Sequence, residues 1–186
     1  MIIVKKIFVD FDGTLVDSSG CWQEAYRLMC KEKNYIFEMN IFVAFSKISF
    51  MEWEKIISAR YNIDASKEMM EYVMKLYCEK KPNKKVLEYL NSTKGEITLI
   101  TREDKCLVES WLKFHHISCV KNIVTKGEER QNQSFYDENI ILIDDSLKYC
   151  KPAREAGAYV IGINDHHSFE RKKEMKEICN EYWGDE

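Results

Sequence analysis

Two carboxylates one residue apart, Asp10 and Asp12, are the residues of this chain best placed to do chemistry. They follow the apolar run IFV at 7–9, and Gly13 and Thr14 come directly after them. The apolar run predicts a buried strand, and the glycine predicts a sharp turn at its end. A buried strand that ends in paired acids at an open sheet edge favours carboxylate chemistry assisted by a metal ion.

The residues at the ends of three later apolar runs are also polar. Thr101 ends the first run, Lys126 follows the second, and Asp144 with Asp145 ends the third. Ligands of α/β sheets bind outside the carboxyl ends of the strands, so we expect these residues to converge with Asp10. Four carboxylates this close would repel one another unless a cation lay among them, and their hard oxygen atoms favour Mg²⁺.

The apolar runs that predict strands alternate with helical patterns. Continuous apolar runs of this length indicate strands that are buried on both faces, as in a parallel sheet. Alternation of strand and helix predicts an α/β fold with a doubly wound parallel sheet. The five strands are expected at 2–11, 96–101, 117–125, 139–145 and 158–163.

Three helical predictions concern the second half of the chain. Leu107, Trp111 and Phe114 recur on one helical face. Residues 146–157 are predicted to be helical with a break at Pro152, because a proline inside a helix removes a hydrogen bond. A helix is also predicted at the C-terminal end, with Ser168 as its N-cap and a stripe formed by Met175, Ile178, Cys179 and Tyr182.

Residues 18–81 interrupt the alternation, because they show helical patterns and no convincing strand. We therefore expect an α-helical insert at 18–81 that forms a small cap subdomain, with 1–17 and 82–186 forming the catalytic core. Insert residues that are candidates to face a substrate are Tyr26, Arg27, Phe45, Lys47, Trp53 and Arg60.

Composition limits the classes of protein to consider. The chain has 186 residues, 45% of them apolar, and a net charge of −3, which is typical of one globular domain with an insert. Lys and Arg are spread along the chain, so no nucleic-acid footprint is visible, and no apolar run is long enough to span a bilayer. The first residues do not resemble a secretory signal, and the odd count of seven cysteines indicates reduced thiols, so we expect a cytoplasmic protein.

The motifs together resemble those of the haloacid dehalogenase-like (HAD) superfamily. The run DFDGTL at 10–15 matches the first motif of that family residue for residue, and LIT at 99–101 matches the second. Lys126 matches the third motif, and IDDS at 143–146 matches the fourth. The resemblance covers 1–16 and 83–165, and it implies a Rossmann-like sheet of strand order 5-4-1-2-3 with a helical cap inserted after the first motif.

The resemblance also implies a role for each matching residue. Asp10 would be the nucleophile and Asp12 the general acid and base, with Mg²⁺ held by Asp10, the Asp12 backbone carbonyl, Asp144 and Asp145. Thr101, Arg102 and Lys126 would bind the phosphoryl group of the substrate. An acid at the position of Asp12 favours a phosphatase or phosphotransferase over a dehalogenase.

Several alternatives stay open at this point. Lys126 is followed by Gly127 where the family often has proline, so Lys121 and Lys148 are other candidates for the third motif. The expected activity is hydrolysis of a small phosphorylated metabolite through an aspartyl-phosphate. A sugar-phosphate mutase or another phosphotransferase is the second hypothesis, and a non-catalytic binding module on the same fold is the third.

Overall fold

The computed structural model describes residues 5–125, 127–163 and 169–184. The chain divides into two compact units. Met1–Asp17 and Lys81–Glu186 form the first, called the α/β unit below, and Ser18–Lys80 forms the second, called the helical unit.

A parallel six-stranded sheet forms the centre of the α/β unit. Its strands are β1 Lys6–Asp10, β2 Glu96–Thr101, β3 Asn122–Thr125, β4 Ile140–Asp144, β5 Tyr159–Ile163 and β6 Glu181–Trp183. They lie in the order β3-β2-β1-β4-β5-β6. The predicted α/β class is confirmed, and the first five strands follow the order that the family resemblance implies. Residues 2–4 of the first predicted strand lie outside the described residues.

The central strands are buried because apolar residues occupy consecutive positions along them. Val9 lies opposite Leu99 on one side and Ile143 on the other, and all three side chains are fully buried. Burying these side chains supplies most of the driving force that holds the three strands in register. That register places the carboxyl ends of β1, β2 and β4 at one edge of the sheet.

The described residues of the α/β unit include four α-helices, which are α5 Lys84–Ser92, α6 Lys105–Phe114, α7 Leu147–Glu155 and α8 Phe169–Ile178. The Asp104 carboxylate caps α6 by accepting from the backbone N–H groups of Cys106 and Leu107. Leu107 and Trp111 are buried as predicted, but Phe114, the last residue of α6, is 59% exposed.

The predicted break at Pro152 is wrong, since α7 runs through this residue. The proline removes one backbone donor near the end of a short helix, where few hydrogen bonds remain to be lost. Tyr149, Cys150 and Ala153 are buried along one face of α7, and this packing holds the helix together.

The predicted C-terminal helix is shorter than expected, because α8 ends at Ile178 and Tyr182 lies in strand β6. Asn180 explains the change. Its backbone N–H donates to the Val160 carbonyl, and its side-chain oxygen accepts from the Val160 N–H at 2.8 Å. The chain is thereby aligned with β5. The predicted N-cap, Ser168, lies outside the described residues.

The helical unit consists of α1 Cys21–Glu32, α2 Met39–Ala44, α3 Phe50–Tyr61 and α4 Ala65–Glu79. Ser49 and Glu52 form a capping box at the start of α3, and Asp64 caps α4. An aromatic core joins these helices, with Trp53 in edge contact with both Tyr26 and Phe45. The Trp53 indole N–H donates to the Ile41 carbonyl at 2.7 Å.

Within the described ranges, no helix has the length and apolar character required to cross a bilayer.

Candidate active site

The sheet brings the predicted acids to one edge. Asp10 ends β1, and Asp144 ends β4 on the neighbouring strand. Asp10 is paired in register with Ile100, so Thr101 lies one residue further along at the end of β2. Asp10 is 8% exposed and Asp144 is fully buried, so both carboxylates are largely removed from water.

The turn after β1 is closed by its own backbone. Gly13 has φ +79°, a conformation that a glycine adopts without strain, and its N–H donates to the Val16 carbonyl at 2.8 Å. The Leu15 N–H donates to the Phe11 carbonyl at 2.9 Å. These bonds hold Asp12 in a fixed turn directly after Asp10.

Three carboxylates form a group that could hold a metal ion. One oxygen atom each from Asp10, Asp144 and Asp145 lies within 4.8 Å of the others. Of the described residues, these three and not Asp12 make up the group, and the Asp12 side chain is half-buried. A set of hard oxygen atoms with this spacing fits Mg²⁺.

A buried arginine that the sequence reasoning missed lies among these acids. Arg130, in a 3₁₀ turn at Glu128–Gln131, is 1% exposed. One guanidinium nitrogen donates to Asp10 Oδ1 at 2.8 Å, and the other terminal nitrogen donates to Asp144 Oδ2. One guanidinium therefore bridges two carboxylates that come from different strands.

Charge and burial shift the ionisation of this cluster. Burial raises the pKa of Asp10 from its usual 3.8 to about 7, although the Arg130 charge lowers it and the Asp145 charge raises it. Burial and the charge of Asp10 likewise raise the pKa of Asp144 well above its usual value. Burial lowers the pKa of Arg130, but the charges of Asp144 and Asp10 more than offset this. The charges of Arg130 and Arg102 both lower the pKa of Asp144. Because the grouped carboxylates repel one another, binding of a metal ion among them would be favoured.

The fold was compared with known proteins. No protein-family model matches the sequence, and no curated protein matches it. A Thermotoga maritima protein assigned as a β-phosphoglucomutase is similar in structure, with a TM-score of 0.74 at 15% identity, covering 97% of this chain and 94% of that one. A haloacid dehalogenase-like hydrolase from Streptococcus pneumoniae has a TM-score of 0.63 at 20% identity, covering 100% and 96%.

A third similar structure is that of a Bacillus subtilis protein assigned as a HAD hydrolase, which has bound magnesium. Its TM-score is 0.59 at 15% identity, covering 95% of this chain and 99% of that one. The chain has the fold of the HAD-like hydrolases.

At the edge of the HAD-like sheet, Thr101 lies beside Asp10 as predicted, and it is 1% exposed. Its hydroxyl oxygen accepts from the Glu103 backbone N–H at 2.9 Å, which fixes the side chain and leaves its hydrogen to be donated elsewhere. The helix after Thr101 is capped by Asp104, so Thr101 is not its N-cap. Arg102 is exposed at the same edge.

Of the three lysine candidates for the third HAD motif, Lys121 and Lys148 lie among the described residues. Lys126 lies outside them, so its role stays a prediction. Lys121 precedes β3 and is therefore at the opposite end of the sheet from Asp10, and Lys148 is exposed. Among the described residues, it is Arg130 that donates to Asp10.

Two of the predicted substrate-facing residues of the helical unit instead form its core. Tyr26 and Trp53 are fully buried, and the Tyr26 hydroxyl is hydrogen-bonded with Tyr61 at 2.8 Å. Arg27 forms an ion pair with Glu24 on the same helix. The remaining candidates lie nearer the surface of the helical unit: Phe45 is half-buried, Lys47 is exposed, and Arg60 is paired with Glu38.

Proposed function

We propose that this protein is a Mg²⁺-dependent phosphohydrolase that acts on a small phosphorylated metabolite through an aspartyl-phosphate. The observation that carries the proposal is the buried Asp10 carboxylate, bridged by Arg130 to Asp144 and within metal-binding distance of Asp145. A perturbed, buried acid at the ligand-binding edge of an α/β sheet is typical of a reaction centre.

The chemistry assigned to each residue follows from its position. Asp10 attacks phosphorus in line and becomes phosphorylated. Asp12, held by the turn at Gly13, gives a proton to the leaving oxygen and later accepts one from the attacking water. Thr101 donates its hydroxyl hydrogen to a phosphoryl oxygen, and Arg130 fixes the orientation of Asp10.

The metal ion would be held by Asp10, the Asp12 backbone carbonyl and Asp145, with Asp144 reaching it through water. When bound, it would offset the charge of the phosphoryl oxygens, which is the main requirement of phosphoryl transfer. Exposed Arg102 is proposed as a further contact for the phosphoryl group, as is Lys126.

Small substrates are favoured by the presence of the helical insert between Asp17 and Lys81. We propose that this insert acts as a cap that selects the substrate, because it leaves and rejoins the α/β unit directly beside the turn that carries Asp12. Val16 and Pro82 are paired at that point, and the Asn83 N–H donates to the Leu15 carbonyl at 2.8 Å.

A second candidate is a phosphotransferase, in which an alcohol replaces water as the acceptor. The similarity to the Thermotoga maritima protein assigned as a β-phosphoglucomutase favours it. The two candidates differ in product, since hydrolysis releases inorganic phosphate and a mutase yields an isomeric phosphate ester.

The test is a panel of phosphorylated sugars, short organic acids and nucleoside monophosphates, assayed with Mg²⁺ for free phosphate and for isomeric products. Phosphate release that depends on Mg²⁺ and is lost in D10N would support the phosphohydrolase. An isomeric ester without phosphate release would support the phosphotransferase. No product from any substrate, at concentrations at which a HAD phosphatase used as a positive control is active, would contradict both.

A further inference from the structure

The Arg130 guanidinium contacts an aromatic ring as well as two carboxylates. It donates to Asp10 and Asp144, as described above. Its Cζ lies over the ring of Tyr149, 4.0 Å from the ring centroid. Tyr149 is itself buried, with 6% of its surface exposed.

These two sets of contacts suit a planar cation. A guanidinium donates several hydrogen bonds in a fixed fork and stacks on aromatic rings, whereas an ammonium is a compact point charge on a flexible stem. Arg130 Nε has no hydrogen-bond acceptor among the described residues, and the ring offsets part of the cost of burying the cation. Tyr149 is thus a contact of the guanidinium in addition to its two carboxylates.

The same short segment supplies both Asp144 and Tyr149. Asp144 Oδ1 accepts from the Ser146 N–H at 2.9 Å, which links the end of β4 to the start of α7. Tyr149 follows in the first turn of α7. On the other side, the Tyr136 hydroxyl donates to the Arg130 carbonyl at 2.9 Å and fixes its backbone.

Resting on the phosphohydrolase function proposed above, we infer that Tyr149 is a positioning residue for the reaction. Its ring sets the plane of the Arg130 guanidinium so that one cation reaches Asp10 and Asp144 together. Tyr149 does not touch the reacting atoms, and its effect on the nucleophile passes through Arg130. The ring carries this role, and the hydroxyl does not.

A double-mutant cycle separates this role from simple core filling. The proteins are wild type, Y149L, R130K and the double variant, with Y149F as the variant that keeps the ring. Y89L, which removes a half-buried tyrosine of α5, is the matched control for loss of aromatic packing. For each protein, kcat and KM are measured with the best substrate of the panel, and unfolding is measured in urea.

We expect Y149L to lower kcat about tenfold, the rate equivalent of one buried cation–π contact, with a smaller change in KM. Y149F should lower kcat far less than Y149L. In the R130K background, Y149L should change kcat less than about twofold, because the planar cation is already lost. Y89L should lower the free energy of unfolding but leave kcat at the wild-type value.

Two results would overturn the inference. One is that the two substitutions act independently, so that the loss of kcat in the double variant equals the product of the losses in Y149L and R130K. The other is a loss in Y149F as large as that in Y149L, which would assign the role to the hydroxyl. If the wild type releases no phosphate from any substrate, the proposed function fails. The free energies of unfolding of the same four proteins, measured in urea, then give the coupling energy in place of kcat. Coupling of residues 130 and 149 in stability would support the contact, and additivity would contradict it.

Discussion

At the scale of residues, the candidate site is built around the Asp10 carboxylate, which lies next to Arg130 and Asp145. Arg130 donates to Asp10 Oδ1, so we expect Oδ2 to be the oxygen that attacks phosphorus. The nearby Asp145 oxygen provides the position for a metal ion. Asp10 is thus oriented by a buried cation before any substrate binds, which is the kind of preorganisation that phosphoryl transfer requires.

The D10N variant tests the nucleophile. We expect turnover to fall by a factor of about 10³ or more, because the amide cannot form the acyl-phosphate. The circular dichroism spectrum should stay that of the wild type, since an amide oxygen can still accept from Arg130. Phosphate release at a rate similar to that of the wild type would rule out Asp10 as the nucleophile.

The D12N variant tests the proton carrier. We expect kcat to fall by about 10² to 10⁴, because both the leaving oxygen and the attacking water lose their proton partner. Substrates with a leaving group of low pKa, such as p-nitrophenol, should be less affected in the phosphorylation step. Equal losses in that step for good and poor leaving groups would contradict this role.

The pH dependence of stability follows from the raised pKa of Asp10 in the metal-free protein. The folded state keeps a proton that the unfolded state loses, so this contribution is complete below about pH 4 and is lost as the pH rises through about 7. Urea unfolding in EDTA should show lower stability at pH 8 than at pH 5, by up to about 3 kcal/mol from this group. D10N, which cannot titrate there, should show a flatter profile. An equally steep profile in D10N would contradict the assignment.

The sequence predicted the acids of the site and missed its arginine. Asp10, Asp144 and Asp145 could be predicted because strand ends of a parallel sheet share an edge, so their position along the chain implies their position in space. Arg130 lies in a 3₁₀ turn with no hydrophobic periodicity, and an arginine beside two glutamates resembles a solvated residue. The available signal was topological: the family resemblance places a cation after the third strand, and Arg130 lies in the segment between β3 and β4.

At the scale of elements, the site depends on how tightly strands and helices pack. Gly162 in β5 shows this, because a Cβ atom at this position would lie 2.7 Å from the Cys179 sulfur and 2.9 Å from Met175 Cε. The glycine lets Met175 and Cys179 lie directly on β5, where Gly162 is paired in register with Asp144 of β4.

The G162A variant tests this packing. We expect a loss of about 1 to 3 kcal/mol in the free energy of unfolding, because the added methyl group overpacks a filled site. G127A, whose Cβ would meet no atom within 4 Å, is the matched control and should change stability by less than about 0.5 kcal/mol. Equal effects of the two substitutions in urea unfolding would contradict the close packing.

Element boundaries were harder to predict than the elements themselves. The helix predicted at 146–157 is present as α7, but the predicted break at Pro152 is not found, because buried contacts along α7 outweigh one lost hydrogen bond. The spacing of Tyr182 in the sequence predicted that it continues the apolar stripe of the last helix. In the structure, Asn180 is hydrogen-bonded to Val160, and the chain therefore continues as a strand. Local patterns do not contain such tertiary contacts.

At the scale of the whole molecule, the α/β unit contains the described acids of the candidate site, and the helical unit is inserted between the first acids and the rest. The sheet class followed from the alternation of apolar runs with helical stripes. The packing inside the helical unit could not be predicted in the same way. Its aromatic residues are divided between its core and its surface, and their spacing in the sequence did not distinguish buried from exposed positions.

Metal binding should stabilise the folded chain as a whole. We expect a saturating concentration of Mg²⁺, about 5 to 10 mM, to raise the melting temperature of the metal-depleted protein. The reason is that a ligand that binds only the folded state shifts the unfolding equilibrium toward that state. D145N should show a much smaller rise, since it loses one of the three grouped carboxylates. D137N, which removes an exposed acid outside the group, is the control and should respond like the wild type. The same rise in D145N as in the wild type would place the metal elsewhere.

The central claim is that Asp10 carries the phosphoryl group during turnover, and trapping the intermediate tests it most directly. The protein is mixed with a ³²P-labelled substrate and Mg²⁺, quenched in acid within milliseconds, and digested at low pH for mass spectrometry. We predict one phosphoryl group on the peptide that contains Asp10, and none in D10N. Phosphorylation of another residue, or turnover in D10N at the wild-type rate, would contradict the account.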